Sequence, residues 1–298
     1  MSNTGIGRRH PGRCDPGPVQ DAIEATEATE AWPASDDELV RVQRALAEQA
    51  EGVLAEAPWR LTGSPSVGGC FVAFTRGEAG PGRAGDRAWA AAVTWRPGSS
   101  PFRRRGRLHR RPDDALLGAG GAGGAGAPRL SSDLEAQVVV AGRARAAYAA
   151  GLLARREGAI LSAAVAALDA APDVLIVDAT GTDHPRRAGL ALHLGAVTGL
   201  PTVGVTHRPL LATGGLPLPV RGTSSPVHLD GRTVGSWVCT RTGARPVLAH
   251  AGWRTDAATA VAVVLLASTE AARTPVPLQE ARRVAREARA LACAATTR

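Results

Sequence analysis

The sequence predicts a single α/β domain in which an antiparallel group of strands is continued by parallel βα units. Three observations lead to this class. Two apolar segments, "SVGGCFVAFT" and "DRAWAAAVTW", flank the Gly-rich "RGEAGPGRAG", the pattern of an antiparallel pair. From Glu157 onward, helix-length and strand-length apolar segments alternate with short connections, the mark of parallel α/β packing. With 298 residues and 44% apolar content, the chain has ample material for a buried core.

Met1 to Ala31 is polar, rich in Gly and Pro and then acidic. It lacks the periodicity of a packed element and is expected to be a disordered tail before a domain spanning 32–298. Ser35 precedes "DDELVRVQRALAEQAEGVLAEA", where Leu39, Val42, Leu46 and Val53 recur at helical spacing and acids fill the first turn. Acids there complement the helix dipole, so this segment is predicted to be a helix. After the two strands, "LEAQVVVAGR" is predicted as a third. Between the second and third lies an insertion at about 96–132, which opens with seven arginines in sixteen residues and ends in "GAGGAGGAGAP". A mobile basic loop is expected.

Next come a helix predicted over Glu157–Ala170, a strand over Val174–Asp178, a helix over Pro185–Thr198 and a strand over Thr202–Thr206. Val220 to His250 alternates with Gly turns and predicts two or three antiparallel strands. Helices over Thr255–Ser268 and Pro277–Ala295 close the domain.

The four cysteines, Cys14, Cys70, Cys239 and Cys293, are far apart and form no CxxC pair. They fit neither a zinc knuckle nor a disulfide framework, and Cys70 and Cys239 are expected in the core. Apolar segments such as Ala257–Ser268 fall short of the roughly 20 residues of a bilayer span, and the N-terminal segment has no apolar signal core. A cytoplasmic location without membrane contact is expected. The formal charge of +8 and pI near 10.8 fit a polyanionic partner, because guanidinium groups bind phosphates bidentately and release counterions. None of the 35 basic residues is lysine. A GC-rich coding sequence accounts for the choice of arginine, but not for the net positive sign.

Asp178 ends the apolar run "VLIVD", and ligands of open α/β sheets bind at the carboxyl ends of strands. From this residue alone a turn cap reads as well. Pro185 is predicted to start a helix whose free N–H groups, with His184 and Arg186, face an anion near Asp178. The stretch "AYAAGLLARREG" places an aromatic, a glycine and an acid between a strand and a helix; Glu157 alone reads as a first-turn helix acid. With no GxSxG elbow and no lysine for a phosphate loop, an unrelated α/β hydrolase finds no support.

Taken together, "WP" at Trp32-Pro33, "VGGCFVAF", "YAAGLLARREG", "PDVLIVDATGTDHPRRAGLALHLG", "PTVGVTHRPLL" and the final helices resemble the endonuclease V family of deoxyinosine-specific repair nucleases. The resemblance implies a ribonuclease-H-like mixed sheet flanked by helices in one domain. It also implies a divalent metal, Mg2+ with Mn2+ as a substitute, which activates water and stabilises the phosphate transition state. Glu157 and Asp178 match metal-binding acids and should approach one another. With His207 they match the catalytic positions. Tyr148 matches a wedge tyrosine that is pressed into the duplex, and Gly151, Leu153, Gly181, His184 and Gly189 match positions of the pocket for the extruded base. The implied partner is DNA or RNA with deaminated bases, met by a monomer.

The sequence also departs from the family pattern. Phe71 in "GCFV" stands at the position of a catalytic aspartate, His207 at that of a lysine and Trp253 at that of a histidine. Ala147, Ala149 and Ala150 surround Tyr148 in place of wedge prolines, and Ala179 and Thr180 replace a glycine and a glutamine. A phenyl ring supplies no oxygen to a hard cation. Asp86 and Asp183 are the other nearby acids, and spacing alone places neither beside the central strand. The alternative is therefore a catalytically inactive member that retains the fold and nucleic-acid binding. If the arginines from Arg96 to Arg111 touch a phosphate backbone, deleting this segment should flatten the salt dependence of DNA affinity. An unchanged slope of log affinity against log salt would show them to be merely solvated.

Overall fold

The computed structural model describes residues 32–75, 82–98 and 134–296. The expected tail over 1–31, with Cys14, and the expected insertion beyond Gly98 lie outside the described residues. The elements are α1 (Asp36–Glu56), β1 (Val67–Phe74), β2 (Arg87–Trp95), β3 (Leu134–Arg143), α2 (Leu153–Ala166), β4 (Val174–Val177) and α3 (Leu190–Thr198), followed by β5 (Thr202–Thr206), β6 (Ser224–Leu229), β7 (Arg232–Val238), β8 (Val247–Ala251), α4 (Ala257–Leu266) and α5 (Val276–Thr296).

One eight-stranded sheet has the order β3-β2-β1-β4-β5-β8-β7-β6. β1 and β4, and β4 and β5, pair in parallel; every other neighbouring pair is antiparallel. This is the expected fold class, a mixed sheet flanked by helices in one domain. The central strand "VLIV" is buried along its whole length. Leu175 and Val177 face α2 and α3 with Cys70 and Val72. Val174 and Ile176 face α4 and α5 with Val67 and Val203. Burying each such side chain contributes about 1.5–3 kcal/mol relative to exposure, so β4 fixes the middle of the sheet and aims Asp178 at its carboxyl edge. Cys70 and Cys239 are in the core, as expected. Among the described residues no helix is long and apolar enough to cross a membrane.

Several boundaries differ from expectation. α1 starts as predicted, with the Ser35 side chain accepting from the Glu38 N–H at 3.1 Å. α2 begins at Leu153 rather than Glu157, because Gly151 turns the chain at φ +74° and lets the helix start at once. Glu157 is thus one turn inside the helix. The helix expected from Pro185 begins only at Leu190. Arg187 has φ +57°, outside the right-handed helical region. The Gly189 N–H donates to Gly181 O at 2.8 Å and the Ala191 N–H to Thr180 O at 3.1 Å, so residues 181–189 form a closed loop instead of a first turn.

Trp32 anchors the start of the described chain. Its ring is 3% exposed and stacks on His193 at 4.4 Å between centroids, and its Nε1 donates to Ser162 Oγ at 3.3 Å. A Cβ on Gly158 would lie 2.1 Å from Trp32 Cζ3. Alanine in a helix interior gains about 1 kcal/mol over glycine, whereas overpacking of this kind costs about 1–3 kcal/mol. Gly158→Ala should therefore lower stability, seen as a reduced urea midpoint. A raised midpoint would show that Trp32 is not seated on α2.

Candidate functional site

The parallel register pairs Cys70 with Val177, so its next step sets Phe71 beside Asp178. Both side chains lie on the α5 side of the sheet. Phe71 packs against Ala73, Val284 and Ala285, and Asp178 meets Arg282. A cavity of about 670 Å³ opens at this edge, within the size range of small-ligand sites. Of the candidate site residues, Tyr148, Gly151, Leu153, Asp178, His184 and His207 line it, as do four of the departures, Ala149, Ala150, Ala179 and Thr180. Gly181, Gly189 and Glu157 are not among its lining residues. Gly181 and Gly189 instead permit close backbone packing: a Cβ on the first would fall 1.8 Å from Ala251 O, and on the second 2.3 Å from Thr180 O.

The cavity wall is built by hydrogen bonds. The Arg186 N–H donates to His184 Nδ1 at 3.2 Å, which leaves the imidazole proton on Nε2, 3.1 Å from the Gly151 carbonyl it donates to. Burial pushes His184 down to about 4, so the ring is neutral at pH 7. Arg186 does not face an anion as the sequence suggested. Its guanidinium donates to Gly151 O at 2.6 Å and to Gln43 Oε1 at 2.6 Å, tying the 147–151 turn to α1. Tyr148, 47% exposed, stands at the mouth. On the opposite wall the fully buried Asp183 accepts from the amides of Leu210, Leu211 and Ala212 at 2.8–2.9 Å, fixing the loop that carries His207. His250 Nδ1 lies 3.8 Å from Asp183, and its Nε2 is 2.8 Å from Thr206 Oγ1.

Glu157 and Asp178 are near enough for the charge of one to act on the other. The Glu157 carboxyl is pushed up to about 8, chiefly by burial and then by the Asp178 charge, with Arg156 opposing. The Cys70 thiol is raised by burial and by the same two acids. Asp178 Oδ2 accepts two bonds from Arg282, 2.7 Å from Nη2 and 3.1 Å from Nε. The Phe71 ring lies beneath two guanidinium groups, 5.7 Å from Arg282 and 5.5 Å from Arg286. His207 Nδ1 accepts from Arg273. Trp253 is buried with Leu192 and Ala50 between α1 and α3, away from the acids.

Neither other acid fills the gap. Asp86 is bound by Arg156 at 2.8 Å, and Asp183 is consumed by three amides. Among the described residues no group of three or more His, Cys, Asp or Glu side chains converges on a metal position. A divalent ion needs several oxygen ligands. Here one acid is held by arginine and a phenyl ring stands at the position of a third, leaving too few free oxygens, so the residues present do not fit the metal that the family resemblance implies.

Fold and site define a class: a ribonuclease-H-like α/β domain with an acidic centre beside a small-ligand cavity. The sequence profile of the family described as Endonuclease V matches residues 129–283, and the chain belongs to the endonuclease V family. It is 40% identical over 153 residues to an endonuclease V of Streptomyces coelicolor, covering 51% of this chain and 65% of that protein. A Roseiflexus endonuclease V is 42% identical over 122 residues, and the match covers 41% of this chain and 55% of the relative. The chain thus spans less than two thirds of the length of these relatives. The crystal structure of endonuclease V from Streptomyces avermitilis superposes with a TM-score of 0.66 at 28% identity, covering 88% of this chain and 96% of that one. A Ciona intestinalis endonuclease V solved with inosine-containing DNA has the same fold, with a TM-score of 0.57 at 17% identity over 85% of this chain and 98% of that one.

Sequence reasoning missed Gln43, Arg273 and Arg282. Gln43 sits four residues after Leu39 on the buried face of α1, a polar residue at a core spacing, and that signal was available. The two arginines had none, being two among 35 basic residues. As pH rises, the unfolded chain releases the Glu157 proton near 4.5 and the folded chain near 8. This group therefore opposes folding progressively across that window. Glu157→Gln should raise the melting temperature more at pH 8 than at pH 5. An equal difference at both pH values would contradict a buried carboxyl.

Proposed function

We propose that this chain takes a deaminated purine nucleotide out of a nucleic-acid strand and holds its base in the cavity beside Tyr148, Gly151, Leu153 and His184, acting in recognition rather than as an efficient nuclease. The observation that carries this reading is the contrast at one sheet edge: an open, ordered cavity next to an acidic centre closed by Phe71 and Arg282. The bound inosine DNA of the Ciona neighbour supports the choice of ligand. An exposed aromatic such as Tyr148 stacks on a base for about 1–3 kcal/mol. That offsets unstacking costs of a few kcal/mol, which are least for a mispaired base. A neutral His184, held by Gly151, presents no charge to an uncharged purine. We infer a monomer acting in the cytoplasm on DNA or RNA.

A second reading, a nuclease dependent on Mg2+ or Mn2+ that nicks beside the lesion, is favoured by the adjacency of Glu157 and Asp178. Anisotropy and gel assays with inosine-containing and adenosine-containing DNA and RNA, in Mg2+, Mn2+ and EDTA, separate the two. The recognition reading expects tighter binding of inosine strands in EDTA and no nicking. Tyr148→Ala should weaken binding about 5- to 150-fold. Equal affinity for inosine and adenosine strands would overturn it, and chelator-sensitive nicking would establish the nuclease instead.

A further inference from the structure

We infer that Arg245, Arg273 and Arg282 form a phosphate-binding site that works without a divalent ion and takes one phosphodiester of a nucleic-acid strand beside Asp178. The inference rests on the nucleic-acid part of the proposed function, not on selectivity for inosine. The three side chains come from separate segments that the fold draws together. Arg282 lies on α5 and holds Asp178 at 2.7 Å. Arg273 precedes α5; its carbonyl accepts from Thr240 Oγ1 at 2.6 Å, which ties it to the segment after β7. Arg245 lines the same cavity as Asp178 and His207, and Arg208 lines it too.

The cluster has cationic donors left over. Arg282 bonds Asp178, Arg245 lines the cavity that Asp178 and His207 share, and Arg273 bonds His207, so three guanidinium groups gather around one carboxylate and one imidazole. Arg273 donates through Nη2 to His207 Nδ1, while its Nε is buried with no acceptor. A buried donor without an acceptor costs free energy, which the guanidinium recovers by turning toward an incoming phosphate oxygen. Because Nδ1 accepts, the His207 proton is on Nε2, giving the cluster a neutral donor where the family pattern has a lysine. The like charges of Arg245 and Arg282, after burial, lower the proton affinity of Arg273, and an anion between them relieves that crowding. Guanidinium forks match phosphate oxygens bidentately. Phe71 supports the arrangement, since its ring face lies under Arg282 and Arg286 where a carboxylate would instead attract a cation.

The test is calorimetric titration of the intact chain, in EDTA and then in Mg2+ or Mn2+, with d(TpT) and with inorganic phosphate. The expected result is that d(TpT) binds in EDTA and that either metal changes its affinity by less than about twofold. The Arg245→Gln/Arg273→Gln variant should lose about tenfold or more, while Arg41→Gln, an exposed arginine of α1, should change little. Phosphate binding that requires metal, a metal-induced rise in melting temperature, or indifference to the double substitution would overturn the inference. Binding of inorganic phosphate but not of d(TpT) would overturn the assignment to a strand. No probe here contains inosine, so a failure of base selectivity leaves these outcomes untouched.

Discussion

Two carboxylates at the carboxyl edge of a buried central strand require compensating charge, and the rest of the site follows from how this chain supplies it. Bringing Glu157 and Asp178 together in a desolvated place is unfavourable for two anions. Here the compensation is divided. Asp178 receives the Arg282 guanidinium, at 18% side-chain exposure, through two hydrogen bonds. Burial and the Asp178 charge push the Glu157 carboxyl up to about 8. Neither acid then presents an ionised, free oxygen pair to a cation, although both remain where the fold puts them.

The departures at Phe71 and His207 are mutually consistent in this light, whereas Trp253 lies elsewhere. Phe71 replaces a carboxylate with an aromatic face under two arginines. His207 accepts a hydrogen bond from Arg273, which a protonated lysine could not do. Trp253 packs in the cluster of Leu192 and Ala50, between α1 and α3. The cavity wall is held by hydrogen bonds. Gly151 O receives both His184 and Arg186, and Asp183 holds three successive amides. Departures from the family pattern fall both on the cavity wall, at Ala149, Ala150, Ala179 and Thr180, and at the acidic centre, at Phe71.

Much of the fold was legible in the sequence because it rests on local apolar pattern. "LEAQVVVAGR" and "PTVGVT" give strands with the expected limits, and Val220–His250 gives three strands. The loop after Asp178 was not legible. Pro185 suggests a helix start, but Arg187 in the left-handed region and the Gly189–Gly181 bond delay it to Leu190. The meeting of Glu157 with Asp178 followed from family resemblance, not from spacing, since 21 positions and a change of element separate them. Arg282 was invisible for a physical reason: which guanidinium meets which carboxylate depends on how α5 crosses the sheet, and no local pattern records that crossing.

The central claim is that Arg282 and Phe71, not a metal ion, complete the acidic centre. Anomalous scattering from crystals soaked in Mn2+ near neutral pH tests it most directly. The account predicts no anomalous peak between Glu157 and Asp178, with Arg282 still bonded to Asp178. An ordered Mn2+ there, with Arg282 displaced, would contradict it.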